Sequence, residues 1–262
     1  MKKFTALLCV AVLASTLFIG CGTKTTDTKD GDTAKSGDKT WVIATDTVFK
    51  PFEYTNEKNE FVGIDVDLLD AIAKDQGFKY KLNSLGWDAA VAAVQAGQAD
   101  GLIAGATIKQ ERIDKGWIFS DGYFNATQTF VVGKDSTIAK FEDLKGKNVA
   151  VKNGTAGADY AMSLKDKYGF TVSKFDDSPT MYQDVVLGNS VACVEDTPIM
   201  AATIKEGKLA LKIPTGMESE GAPYGFAIMN KDNQKLLDMF NAGLKNIKAN
   251  GKYDEILNKY LK

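Results

Sequence analysis

Histidine is absent from the 262 residues, and arginine occurs once, as Arg112, among 32 basic side chains. A chain without histidine lacks the commonest transition-metal ligand and the side chain that ordinarily moves protons near neutral pH. Cysteine is almost as scarce, with only Cys9, Cys21 and Cys193, so neither a disulfide scaffold nor a cysteine-rich metal centre is expected, and no cofactor is implied. The basic residues form no cluster and are outnumbered by 34 acids, leaving a formal charge of −2 and no footprint for nucleic acid.

What is present begins with that single arginine. Every other positive charge is a lysine, and only guanidinium offers a planar fork that grips a carboxylate through two parallel hydrogen bonds. Upstream of it, Leu102 to Ala104 is a short apolar run. Gly105 then lets a ligand approach the backbone closely, and Thr107 adds a hydroxyl before the chain turns polar and helical. Strand end, Gly, Thr and Arg on one loop read as a clamp for a small anion; the alternative is an ordinary arginine on a solvated helix.

The first twenty residues read as a secretory signal: Lys2 and Lys3, an apolar run from Phe4 to Ile19 too short for a confident membrane span, then Gly20-Cys21. Cysteine at that point resembles a bacterial lipoprotein signal, with Cys21 lipidated and holding the protein to the outer face of the cell membrane. Phe18 departs from the leucine usual there, and ordinary cleavage to a soluble product is the alternative. Residues 21–40 are then the lipidated cysteine and a tether of Thr, Lys, Asp and Gly without a large apolar side chain, which cannot offset the entropy of ordering. About eighteen flexible residues reach on the order of 20 to 25 Å. Loss of residues 1–20 removes two lysines and no acid, so the mature formal charge is −4.

In the remainder, Val42 to Ala44, Lys79 to Leu82 and Leu102 to Ala104 read as strands, with residues 53–63 a hairpin-like excursion. Asp65 is expected to cap a helix over 66–76 that Gly77 ends, and Trp87 to Ala96 forms a second helix. Alternating strands and helices predict an α/β fold with a mostly parallel sheet, whose ligands sit at the carboxyl ends of the strands. Asp46, Phe49 and the loop from Gly105 to Arg112 fall there. A second unit follows: a strand over 148–151, then the small-residue loop from Lys152 to Gly157 opening a helix near Asp159, whose free N–H groups attract an anion. Ser178-Pro179 opens another helix, and 191–194 is a buried strand. Asp196 reads plainly as an N-cap ahead of Pro198, a role worth about 1 kcal/mol. Residues 232–250 and 253–261 carry apolar stripes at helical spacing and are expected to close the core.

Six ordered segments then resemble a known family: residues 44–52, 63–67, 104–112, 119–124, 149–155 and 195–198 look like the polar amino acid-binding proteins of bacterial ABC importers, nearest the glutamine-binding proteins. The likeness spans residues 41 to 262. It implies a type II periplasmic-binding-protein-like fold of two α/β lobes, residues 41–123 plus 226–262 and residues 124–225, joined by two crossover strands. It implies a monomer with no catalytic activity that passes a free amino acid, glutamine foremost, to ABC permease subunits. In the family's site, Arg112 and Thr107, with N–H groups at Thr155 and Ala156, hold the α-carboxylate. Asp196 and the Gly105 carbonyl take the α-ammonium, Phe49 and Trp87 sandwich the stem, and Asp46 with Lys152 receives the side-chain amide. Three positions depart from the glutamine-binding pattern: Glu195 for histidine, Ala156 for glycine, Trp87 for phenylalanine. Glu195 adds an acid that would favour a more cationic ligand. It is also the residue on which the alternative rests, a cyclohexadienyl dehydratase-like lyase on the same fold with Glu195 as the acid.

Overall fold

The computed structural model of the protein describes residues 39–262. The stretch expected to hold a secretory signal, a lipidated Cys21 and a tether lies, up to residue 38, outside the described residues.

The first half runs β1 (Thr40–Thr45), a hairpin of β2 (Tyr54–Thr55) and β3 (Phe61–Val62), α1 (Ile64–Gln76), β4 (Lys79–Ser84) and α2 (Trp87–Gln95). Next come β5 (Gly101–Leu102), α3 (Gln110–Asp114), β6 (Ile118–Phe119), β7 (Phe124–Ala126) and β8 (Gln128–Gly133). The second half holds β9 (Asn148–Lys152), α4 (Ala156–Tyr168), β10 (Thr171–Phe175), α5 (Ser178–Val186), β11 (Ala192–Asp196) and α6 (Thr197–Lys205). It ends with β12 (Leu211–Lys212), β13 (Ala222–Tyr224), β14 (Ala227–Ile228), α7 (Gln234–Ala249) and α8 (Lys252–Leu261).

These strands make two five-stranded sheets, ordered β4-β1-β5-β14-β6 and β10-β9-β11-β8-β12. In each, four strands run one way and one, β14 or β8, runs against them, the expected mixed, mostly parallel arrangement. The chain passes between the sheets twice, through β7 and through β13, which pair antiparallel with Tyr224 opposite Phe124. Each sheet packs helices on its faces. On the first, Leu236, Leu237, Phe240, Leu244 and Ile247 of α7 are buried, at the spacing the sequence shows, and Phe240 stacks on Phe226 at 4.6 Å between ring centroids. Gly243 lets α7 lie close on α1, because a Cβ there would stand 2.8 Å from an Ile72 methyl. On the second, Phe130 meets Phe141, Tyr160 and Phe170 edge-on.

Several expectations shift. Strand β1 begins at Thr40 because Thr40 and Trp41 already pair with Lys79 and Tyr80. Helix α4 begins at Ala156, three residues before Asp159, because the Thr155 hydroxyl caps it by accepting from the Ala158 N–H at 3.2 Å. Asp65 is not a cap. Helix α1 starts at Ile64 with Gly63 ahead of it, and the Asp65 side chain turns inward, fully buried. Asp196 occupies the N-cap position of α6 but makes no side-chain cap bond, for its carboxylate is engaged elsewhere.

Candidate functional site

The parallel strands of both sheets end facing one another, and the loops at those ends carry the charged residues. From the first sheet come Asp46, one residue past β1, and Phe49, whose N–H donates to the Glu53 carbonyl at 2.7 Å and so fixes the loop. Gly105 lies after β5 with φ +55°, and a Cβ there would stand 2.5 Å from the Phe49 ring, so glycine alone permits ring and backbone to meet. Thr107 bridges to Tyr224, which ties this loop to the second crossover.

Arg112 sits in α3 and is buried. Its Nη1 donates to the Thr107 carbonyl at 2.9 Å and its Nη2 to the Gly154 carbonyl, across the cleft, at 3.3 Å. The guanidinium carbon lies 4.9 Å from the Trp87 ring centroid and 5.1 Å from that of Trp117, within cation–π reach of both. Desolvation lowers the Arg112 pKa to about 10, opposed by the charge of Asp196, so the side chain stays cationic at neutral pH.

From the second sheet, Lys152 ends β9 and its Nζ forms an ion pair with Asp46 across the cleft; both side chains are buried. Thr155 and Ala156 open α4. Asp196 ends β11: Oδ1 accepts from Gln128 Nε2 at 2.9 Å and Oδ2 from the Tyr224 hydroxyl. Burial and the neighbouring Glu195 raise its pKa to about 7, against the pull of Tyr224, Gln128 and Arg112. Glu195 is held within its own lobe. Its Oε2 accepts from the Ser178 hydroxyl at 2.7 Å and the Tyr182 hydroxyl at 2.8 Å, and its Oε1 from the Asp196 N–H at 2.9 Å.

All eleven residues singled out in the sequence line a single cavity, together with Ala104. Its free space is about 20 Å³, room for little more than one water. The two sides therefore stand shut against each other. Besides the Lys152–Asp46 pair, the Trp87 indole N–H donates across to the Gly154 carbonyl at 3.1 Å. At the rim, Asn153 donates to Asp88 at 2.8 Å, and Lys109 pairs with Asp159 and Lys50 with Glu206. The sequence reading missed Gln128 and Tyr224, which hold Asp196, and the Gly154 carbonyl, which receives Trp87 and Arg112. A strand Gln and a crossover Tyr carry no signal of their own, and a backbone acceptor carries none at all.

Two mixed α/β lobes, linked by a pair of crossover strands and meeting at a charged cleft, define the type II periplasmic-binding-protein architecture. The chain belongs to the bacterial extracellular solute-binding proteins, family 3, which it matches over residues 41–262. It is 29% identical over 262 residues to the arginine-binding extracellular protein ArtP of Bacillus subtilis, covering 99% of this chain and 98% of that one. To the ABC transporter glutamine-binding protein GlnH of the same organism it is 30% identical over 280 residues, covering 100% and 98%. Among solved structures it resembles an ancestral arginine-binding protein bound to arginine, at 36% identity and TM-score 0.78 over 85% of this chain and 98% of that chain. It also resembles the second substrate-binding domain of Lactococcus lactis GlnP in open conformation, at 42% identity but TM-score 0.58 over 85% and 95%. The open domain is nearer in sequence and further in overall shape.

Proposed function

We propose that the protein is the extracytoplasmic binding component of an ABC importer: it closes on a free polar L-amino acid, glutamine first, and hands it to membrane permease subunits. The observation that carries this reading is a buried cation and a buried anion, Arg112 and Asp196, brought from opposite lobes to one cavity. A free amino acid carries the complementary pair of charges on adjacent atoms. Its carboxylate would take the Arg112 fork, the Thr107 hydroxyl and the N–H groups at Thr155 and Ala156, its ammonium would take Asp196 and the Gly105 carbonyl, and its stem would lie between Phe49 and Trp87. Anchoring through Cys21 and action as a monomer complete the proposal.

The side-chain end decides the choice of ligand. Lys152 offers a donor and Asp46 an acceptor, and an amide inserted between them satisfies both. Glutamate would face Asp46, and arginine or lysine would face Lys152, each leaving like charges opposed at a cost of several kcal/mol. Glu195 does not reverse this preference, because its carboxylate already accepts three hydrogen bonds from its own lobe. The same bonds commit both of its side-chain oxygens to Ser178, Tyr182 and the Asp196 N–H, away from the ligand, which disfavours the lyase alternative. Closure follows from differential affinity, since only the shut form makes both sets of contacts. The greater overall likeness to a liganded relative than to an open one of higher identity supports reading the described arrangement as the closed form. Micromolar affinity needs about 8 kcal/mol net, within reach of several charge-assisted hydrogen bonds.

Isothermal calorimetry of the mature protein against the common L-amino acids tests this. Glutamine is expected to bind most tightly, with glutamate and lysine about 30-fold weaker or worse, the equivalent of about 2 kcal/mol. Arginine or histidine in first place would contradict the roles given to Lys152 and Glu195. A smaller effect is expected of Trp87→Phe, which keeps an aromatic wall but loses the bond to the Gly154 carbonyl. Loss of one neutral hydrogen bond costs about 1 kcal/mol, so ligand dissociation should quicken roughly fivefold in stopped flow. An unchanged rate would remove Trp87 from the closing contacts.

A further inference from the structure

Behind the cleft lie two carboxyl groups with no cation of their own. Glu53 and Asp65 are both 0% exposed. Neither oxygen of Glu53, nor Oδ1 of Asp65, receives an N–H or O–H bond from another group. Only Asp65 Oδ2 is served, by the Gly105 N–H at 2.8 Å and the Tyr123 hydroxyl at 2.8 Å. The positive charge acting on Glu53 is that of Lys152, and Lys152 is committed to Asp46, whose charge acts the other way. Two bare carboxylates side by side in such a place would each bear an uncompensated desolvation penalty and repel the other. One proton between them removes a charge and supplies the missing donor.

We propose that Glu53 and Asp65 share a single proton in the folded protein, Glu53 carrying it and donating to Asp65, and that the pair is a positioning device for the cleft. The backbone of Glu53 exchanges hydrogen bonds with Phe49. The carboxylate of Asp65 holds the Gly105 N–H, and through Tyr123 it reaches the start of β7, where the Tyr123 N–H donates to the Tyr224 carbonyl at 2.9 Å. Two walls of the cavity and both crossovers thus lean on one protonated pair. Asp46, Lys152 and Tyr123 are the other charged or titratable groups facing it. Burial, then the charge of Asp65, pushes Glu53 well above its ordinary 4.5, and burial pushes Asp65 up to about 7 against the pull of its bonds to Gly105, Tyr123 and Glu53, in keeping with a proton retained at neutral pH.

Because the folded value for Glu53 lies above the unfolded one, its proton stabilises fully below about pH 4.5, and that contribution is lost as pH rises toward the folded value. Glutamine cannot titrate yet keeps an N–H for Asp65. In Glu53→Gln, urea unfolding is therefore expected to show a weaker loss of stability with pH. The ratio of unfolding constants, variant over wild type, should fall at least about tenfold between pH 5 and pH 9. Infrared difference spectra in D2O at pH 8.5, above the range where Asp65 and Asp196 titrate, should show the carbonyl stretch of a protonated carboxylic acid in the wild type, absent from Glu53→Gln. Should that variant not fold, Asp65→Asn serves instead, since an amide donor facing Glu53 lets it ionise and abolishes the same band. Parallel pH profiles together with no acid band in the wild type would overturn the shared proton. For positioning, the readout is the affinity for glutamine from pH 7 to 9.5: the wild type should weaken at least about threefold more than Glu53→Gln, the ligand's own amine titrating alike in both. Equal slopes would reduce the pair to a structural role. Only this last arm rests on the cleft being the amino-acid site, so its failure is distinguishable from loss of the proton.

Discussion

Arg112→Ala is expected to lower the affinity for the bound amino acid by at least about thirtyfold and by as much as several thousandfold. That range is about 2 to 5 kcal/mol, the cost of truncating one partner of a buried, hydrogen-bonded charge pair. The ligand carboxylate loses its fork while remaining enclosed, so most of the penalty is an unpaired buried anion. Arg112 also lies against Trp87 and Trp117 and reaches the Gly154 carbonyl, so its removal loosens the wall and one contact across the cleft. Arg112→Lys keeps the charge but cannot serve a carboxylate bidentately, nor Thr107 and Gly154 in the same geometry, and at least a tenfold loss is expected. The ligand-free fold responds differently. Burial lowers the Arg112 pKa to about 10, which means that folding carries a desolvation cost for this charge. Arg112→Met is therefore expected to leave the unfolding midpoint without ligand unchanged or slightly higher while binding collapses. Calorimetry paired with denaturant unfolding separates the two effects, and a midpoint that falls in step with affinity would make Arg112 a structural residue.

Asp196→Asn is expected to weaken binding by about 30- to 150-fold, or about 2 to 3 kcal/mol, because the amide keeps the bonds to Gln128 and Tyr224 in number but opposes no charge to the ligand ammonium. The pH dependence has a definite sign. Asp196 is raised from 3.8 to about 7, so the shut cleft holds a neutral acid below pH 7, whereas an ammonium ligand needs the carboxylate. Wild-type affinity should thus fall as pH drops through about 7, with proton release on binding, and the fall should be missing from Asp196→Asn. Stability without ligand runs the other way. A raised carboxyl contributes fully below its unfolded pKa and loses that contribution as pH rises through the folded one. The asparagine variant should therefore gain on the wild type between pH 4 and pH 8. Titration calorimetry and urea midpoints at pH 5.5, 7 and 8.5 read both limbs, and an affinity independent of pH in the wild type would remove Asp196 from the ammonium site.

How much of this is legible in the sequence depends on the kind of signal. Arg112 stood out because it is solitary, and Gly105 and Thr107 because they share its loop. The stripes of α7 and α8 were readable because long helices repeat their apolar positions. The strand pattern put Asp46 at the ligand end of its sheet, but Lys152 and Asp196 gained meaning only through the resemblance, since a charged residue at a strand end looks the same whether it faces solvent or a cleft. Asp65 was misread because Asp at the head of an apolar-periodic stretch is the ordinary N-cap pattern. That Gly63 precedes the helix and the carboxyl turns inward to Gly105 is a tertiary fact. The two-residue strands β5, β6, β12 and β14 offer too few residues for any period to show. Glu195 illustrates the remaining gap: its identity suggested a cationic ligand or a catalytic acid, and only the hydroxyls of Ser178 and Tyr182, from the preceding helix α5, show where its side chain is committed.

The function proposed for the cleft depends on the guanidinium of Arg112 holding the α-carboxylate of a free amino acid between closing lobes. Calorimetry of L-glutamine and of its α-carboxamide, each against the wild type and Arg112→Ala, measures that contact alone. The expected result is a loss of about a hundredfold or more for the carboxamide in the wild type and almost none in Arg112→Ala. Equal binding of the two ligands by the wild type, or the same discrimination surviving in the variant, would contradict it.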